Sequence, residues 1–214
     1  MIVIAYSSNQ GYTNMLHRME RIVHSEWGIN CLFYTRELLE DTYFYRENKK
    51  ILDIPKGNGL WAWKPYIIMD ALNIDPEVIY LDSSVVPSKL EDLTGLMNFT
   101  QQISSIETQY TNGEWTKRSC FVKMNCDFPR WWNSHQVWAG VVSAKEEAAD
   151  FLNEWLQWCL TIDVISDDPC EGNLKGFIEH RHDQSILTNL MIMYNQLPMS
   201  TNPGFRDVVD YEAK

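Results

Sequence analysis

The chain lacks three features, and each absence removes a class of function. No CxxC pair occurs among its five cysteines (Cys31, Cys120, Cys126, Cys159, Cys170). Neither a zinc ribbon nor a dithiol redox site is therefore spelled out, and reduced, buried thiols are expected. Nor is there a concentrated basic segment. Eighteen lysines and arginines stand against 29 acidic residues, a net charge of −11, with only short pairs such as Lys49-Lys50 and Lys117-Arg118. A nucleic-acid surface needs the opposite balance, so nucleic acid is not expected as a partner. Finally, no apolar run is long enough to span a bilayer, and no basic segment followed by an apolar one opens the chain. A soluble, cytoplasmic protein without a membrane anchor is the expectation. With no internal repeat or low-complexity linker either, residues 1–214 read as one domain, long enough to bury a substantial core.

Aromatic side chains are abundant: nine Trp and ten Tyr in a chain that is 45% hydrophobic exclude disorder. Most of them serve a core, although Trp also suits stacking against a base or a sugar face. Residues 1–6 (MIVIAY) are apolar and rich in β-branched side chains, as in a central strand, and end in Ser7-Ser8-Asn9-Gln10-Gly11. A helix follows over 12–27, with Met15, Met19, Ile22 and Val23 on its inner face, and Gly28 stops it. A second strand at 29–34 leads into Thr35-Arg36. This βαβ opening predicts an α/β fold with a parallel, helix-covered sheet. Strands at 77–81 and 136–143 and helices at 65–72, 90–98, 116–124, 145–160 and 183–194 complete the outline.

Four segments carry chemistry. The apolar run before Asp82-Ser83-Ser84 places a carboxylate and two hydroxyls at a strand's C-terminal tip, where open α/β sheets bind ligands. GNGLWA, residues 57–62, matches the loose GxGxxA pattern of a dinucleotide turn. Yet Pro55 and Lys56 precede it, tryptophans crowd it, and the next helix waits until Pro65. Glycines that let the backbone pass close to a ligand, followed by Lys64 beside a helix start, suit a diphosphate better. His180-Arg181-His182-Asp183-Gln184 is the densest polar cluster; Asp183 is either a helix cap or a ligand group. Ala139-Gly140, inside a predicted strand, exposes backbone to a ligand or marks a bulge.

The order WKP, LDSS, WAGVV, HDQS resembles the GT-A family of nucleotide-sugar glycosyltransferases over nearly the whole chain, in outline its compact viral capsid glycosyltransferases. The resemblance implies a GT-A fold, a mostly parallel central sheet flanked by helices. It implies transfer of a sugar from a UDP-sugar donor to a hydroxyl of a glycan or glycoprotein acceptor, assisted by Mn²⁺ or Mg²⁺, in the host cytoplasm if the source is viral. Carried over residue by residue, Asp82-Ser83-Ser84 stands at the DxD motif, so Asp82, Ser84 and His182 become metal ligands. The second Asp is absent, and low metal affinity without donor is expected. Ala5, Tyr6, Ser7, Thr35 and Arg36 would hold uridine. Gly59, Trp61, Lys64, Ser83, Ala139, Gly140, His182, Asp183 and Gln184 would surround the diphosphate and sugar, with Lys64 and Arg118 offsetting phosphate charge. Asp183 would act as base in an inverting enzyme or orient substrate in a retaining one; retention is the expectation. Two other readings remain: a non-catalytic nucleotide-sugar-binding module, and a nicotinamide enzyme built on GNGLWA. Binding of UDP against NAD⁺ separates them.

Overall fold

A sheet of five strands organises the chain, whose computed structural model describes residues 1–207. β1 (Ile2–Ser7) is buried along its whole length, as a β-branched run predicts for a strand covered on both faces. It pairs in parallel with β2 (Asn30–Thr35) on one side and β3 (Glu77–Leu81) on the other. The short β4 (Val85–Val86) follows the Asp82-Ser83-Ser84 turn, then β5 (Ile103–Thr111) and β6 (His135–Lys145). β6 runs antiparallel to β3, with Leu81 opposite Val141, and β5 runs antiparallel to β6. The order is β2-β1-β3-β6-β5, and only β6 points against the other four strands. β4 pairs separately with β7 (Arg206–Asp207).

Period-2 alternation divides the core between the two faces of the sheet. Ile2, Ile4, Tyr80 and Val142 face the helices Lys64–Leu72, Ala149–Cys159 and His182–Met193, through Ile67, Ile68, Phe151, Trp155, Ile186 and Leu187. Val3, Ala5, Ile79, Leu81 and Val141 face the helices Gln10–Glu20 and Leu90–Phe99. The helix expected at 12–27 is Gln10–Glu20, capped by Asn9 and continued by the wider turn Arg21–Glu26. It buries Met19 and Val23 as expected and Leu16 besides, while Met15 and Ile22 are only half-buried.

β5 is the element that periodicity does not show. Only Ile103 and Ile106 of ISSIETQYT are aliphatic, Ser104 and Ser105 are buried, and two register shifts interrupt its pairing with β6. The sheet accepts buried serines because their hydroxyls are bonded: Ser105 Oγ donates to Trp138 O at 2.8 Å. The helix expected at 116–124 shortens to Arg118–Lys123, since Thr116 is extended and its hydroxyl donates to Asn112 Oδ1 at 2.7 Å. All five cysteines are free, and burial pushes the Cys31 and Cys126 thiols up to about 12. Among the described residues no helix is long and apolar enough to cross a membrane.

Candidate functional site

Because β1 and β3 are parallel neighbours, their C-terminal tips open side by side. One tip delivers Tyr6, Ser8 and Asn9, the other Asp82, Ser83 and Ser84, around a cavity of about 420 Å³. A second cavity of about 270 Å³ lies toward β6, lined among others by Lys64, Gly140, His182 and Asp183. The two have just Trp61 and Asp82 in common. They form one cleft with two lobes at the carboxyl end of the sheet.

At the junction sits an ion cluster. Lys64, 2% exposed, donates to Ala139 O at 2.9 Å, and its Nζ lies 2.9 Å from Asp183 Oδ2 and 3.5 Å from Asp82 Oδ1. Tyr80 OH donates to the same Asp82 Oδ1 at 2.5 Å, and Asp82 N donates to Gly140 O at 2.8 Å. Burial pushes the Lys64 ammonium down, but Asp183 and then Asp82 outweigh it, and the group is held above its ordinary value. Asp183, 4% exposed, is pushed up to about 6 by burial against the pull of Lys64. Gln184 is tied to β6 at both ends of its amide: Oε1 accepts from Ala139 N at 3.2 Å and Nε2 donates to Gln136 Oε1 at 2.7 Å.

GNGLW adopts a conformation that no sequence pattern announces. All of residues 57–61 have positive φ (58°, 50°, 99°, 55° and 60°), closed by Leu60 N to Lys56 O at 2.8 Å and Trp61 N to Gly57 O at 3.2 Å. This is a left-handed helical turn, strained by about 1–2 kcal/mol at each of Leu60 and Trp61. The two glycines permit it. A Cβ on Gly59 would lie 2.6 Å from Leu52 Cα, and one on Gly57 would lie 2.5 Å from the Trp61 ring. The turn sets Trp61 on the partition between the two lobes.

No protein-family model matches the chain, and no curated protein matches it. Solved structures do. Mouse xyloside xylosyltransferase 1 superposes with a TM-score of 0.50 at 11% identity, over 94% of this chain and 85% of that one. The bifunctional glycosyltransferase WbbM gives 0.50 at 9% identity, over 94% of this chain and 38% of its own. A glycosyltransferase involved in the glycosylation of the major capsid of PBCV-1 gives 0.46 at 12% identity, over 94% of this chain and 81% of that one. The chain has the GT-A fold.

Within this GT-A frame, Tyr6, Trp61, Lys64, Asp82, Ser83, Ser84, Ala139, Gly140, His182, Asp183 and Gln184 all line the cleft. Six other expected residues do not. Ala5 belongs to the core on the opposite face of the sheet. Ser7 Oγ is spent on Asn9 O at 2.9 Å, and Thr35 caps the helix Arg36–Glu40. Arg36 is locked on Glu40, Leu52 O and Tyr45 OH, each within 2.8 Å. Gly59 packs on Leu52, leaving Gly57 and Asn58 to border the cavity. Arg118 pairs with Asp127 at 3.1 Å and donates to Gly172 O, away from both lobes. Sequence reasoning passed over Ser8, Asn9, Tyr12, Tyr80 and Trp138, all cleft-lining. Ser8 and Asn9 carried a signal, since they directly follow a predicted strand.

The metal ligands expected from the motif line the cleft, Asp82 in both lobes, Ser84 in the first and His182 in the second. Among the described residues no group of three His, Cys, Asp or Glu is placed to hold an ion. His182 Nδ1 bonds Ile165 O at 2.8 Å, and its Nε2 lies 3.3 Å from Asp167 Oδ1, so the ring is engaged with that loop. Asp82 keeps Oδ2 clear of Lys64 and Tyr80, in a niche where a Cβ on Gly140 would stand 2.8 Å away. One such carboxylate oxygen, in a cavity that Ser84 also lines, fits a Mn²⁺ or Mg²⁺ recruited together with a diphosphate, the ordinary habit of such ions, and not one held by protein alone.

Proposed function

We propose that the chain transfers a sugar from a UDP-sugar donor to a hydroxyl of a glycan or glycoprotein acceptor, with retention at the anomeric carbon. The observation that carries this is the two-lobed cleft whose lobes meet at Asp82, over a buried Lys64 held between two carboxylates. The larger lobe, walled by Tyr6, Tyr12 and Trp63, takes the nucleoside. The smaller lobe, lined by Lys64, Asp183 and Gln184, takes the sugar and the incoming hydroxyl. The diphosphate then spans the junction, where Lys64 stabilises the charge that grows on the leaving oxygen. A divalent ion at Asp82 Oδ2, when bound, supplies further neutralisation of that leaving group. A xylosyltransferase of the same fold supports the reading.

The state of Asp183 supports retention. Its Oδ2 is the partner of the Lys64 ammonium, so it orients groups and is not a free base. The proton of the acceptor hydroxyl passes to the departing phosphate oxygen as the C1–O bond to phosphate breaks and the new C1–O bond forms on the same face. A thermal-shift panel of UDP, GDP, ADP and NAD⁺, each with and without Mn²⁺, followed by UDP-sugar turnover, tests the proposal. A ligand that binds only the folded state at a hundred times its dissociation constant adds about 2.7 kcal/mol. Stabilisation by UDP with Mn²⁺, and UDP release that requires an acceptor, are expected. A response to NAD⁺ alone would refute the reading. UDP binding with no turnover of any UDP-sugar would reassign the chain as a non-catalytic binding module.

A further inference from the structure

The two edges of the central sheet differ in how they are protected. At the β5 edge the chain covers its own strand: Met199 N donates to Ser105 O and Glu107 N to Met199 O, both at 2.8 Å, and two register shifts distort the pairing of β5 with β6. Such coverings and irregularities keep a sheet edge from recruiting another strand. β2, at the opposite edge, has neither. β1 is its strand partner, and among the described residues no turn or loop bonds the backbone of residues 30–35. It therefore presents an open row of N–H and C=O groups. Its sequence, NCLFYT, contains no charge, no proline and no glycine. Both faces are apolar: Leu32 and Tyr34 pack on one side of the sheet, Cys31 and Phe33 on the other, and all four are only half-buried.

The two ends of this strand complement each other. Leu38, three residues beyond the C-terminal end of β2, is 56% exposed. At the N-terminal end opens a cavity of about 330 Å³, lined by Ile2, Leu32 and Ile74 with Glu20 and His24, and Ile74 is 63% exposed. We propose that two copies of the chain join at β2, antiparallel about a two-fold axis, and continue the sheet across the seam. Such a pairing is isologous, so the open row of each copy satisfies that of the other. It lays the C-terminal end of one β2 beside the N-terminal end of the other, and Leu38 of each copy meets the cavity of the other. A second copy is thus the occupant that fills edge, knob and cavity together. No charged residue lies on the strand, and repulsion between two copies of net charge −11 is screened over about 8 Å at physiological ionic strength. No β2 residue lines either lobe of the cleft, so the pairing uses none of the groups assigned to the donor.

Sedimentation equilibrium of the full chain across a hundredfold range of concentration tests this. The expected mass rises from 25.1 kDa toward twice that value. Leu38→Glu, at an exposed position, should weaken association at least tenfold, and Cys31→Lys, which puts on the seam the residue that natural edges carry, should abolish it. Leu197→Glu, at another exposed leucine beside the β5 edge, should leave the mass unchanged. Hydrogen exchange on the wild type locates the contact without any variant: amides within residues 30–35 should exchange at least tenfold more slowly at high concentration than at low. A monomer at every concentration overturns the proposal, and protection of 30–35 in that monomer would assign the edge to another segment of the same chain. A dimer that ignores Leu38→Glu and Cys31→Lys, with no added protection at 30–35, overturns it as well.

Discussion

Lys64→Met is the perturbation whose consequence is most sharply defined. The side chains are similar in length, so packing is largely kept, but the cation between Asp183 and Asp82 is gone. Asp183 is 4% exposed, and removing the partner of a buried charge costs about 3–5 kcal/mol. In a chain of 214 residues each kcal/mol shifts Tm by about 2–4 °C, so a fall of about 6–20 °C is expected at pH 8. The pH dependence is the decisive part. Burial already pushes Asp183 up to about 6, above its unfolded value, and losing Lys64 pushes it higher still. A carboxyl raised on folding leaves the protein stable at low pH, and that stability is lost as pH rises through the folded-state pKa. At pH 5 the variant's Asp183 is protonated, and the fall in Tm should shrink to a few degrees. Thermal unfolding by circular dichroism at pH 5 and pH 8 reads both numbers. Adding D183N to the variant should restore most of the loss at pH 8. Equal falls at the two pH values, or no rescue, would refute the view that Lys64 exists to offset a buried Asp183.

The remaining predictions concern the same cleft. D183N should remove an acid limb with a midpoint near pH 6 from the wild-type kcat/KM profile, because protonating Asp183 loosens its hold on Lys64; a limb that persists unchanged in D183N assigns it to another group. Gly59→Ala should lower stability by about 1–3 kcal/mol in urea unfolding, since its Cβ meets Leu52 backbone at a residue with φ 99°. Gly140→Ala should behave differently: its Cβ meets the movable ends of Trp138 and Asp82, so turnover should fall tenfold or more with little change in Tm. Mn²⁺ titrated alone, followed by electron paramagnetic resonance, should bind weakly, and UDP should tighten it, because Asp82 Oδ2 offers the ion one carboxylate oxygen and the nucleotide supplies the rest.

The sequence by itself determined the elements whose side chains report their surroundings locally. β1 and β3 are legible because a strand buried on both faces must be apolar along its length. The helix Ala149–Cys159 is legible because its inward residues recur at the helical period, whereas His182–Met193 is buried almost all round and shows as a long apolar run. Asp82 and Asp183 stood out because a carboxylate just beyond a strand tip or at a helix start breaks an apolar pattern. Only tertiary structure decided what depends on partners distant in the chain. β5 was hidden because its buried serines are satisfied by hydrogen bonds from other segments, such as Ser105 to Trp138 O, and not by apolar character. The resemblance sends Arg36 to uridine and Arg118 to phosphate, yet Leu52 O, Tyr45 and Asp127 claim their guanidinium groups first. The left-handed turn at 57–61 is likewise a collective outcome. Two glycines and Asn58 allow it, but the packing of Gly59 on Leu52 and of Trp61 on Gly57 holds Leu60 and Trp61 in a conformation that neither prefers. Pattern shows where a side chain wants burial; which atoms satisfy it once buried is a property of the assembled fold.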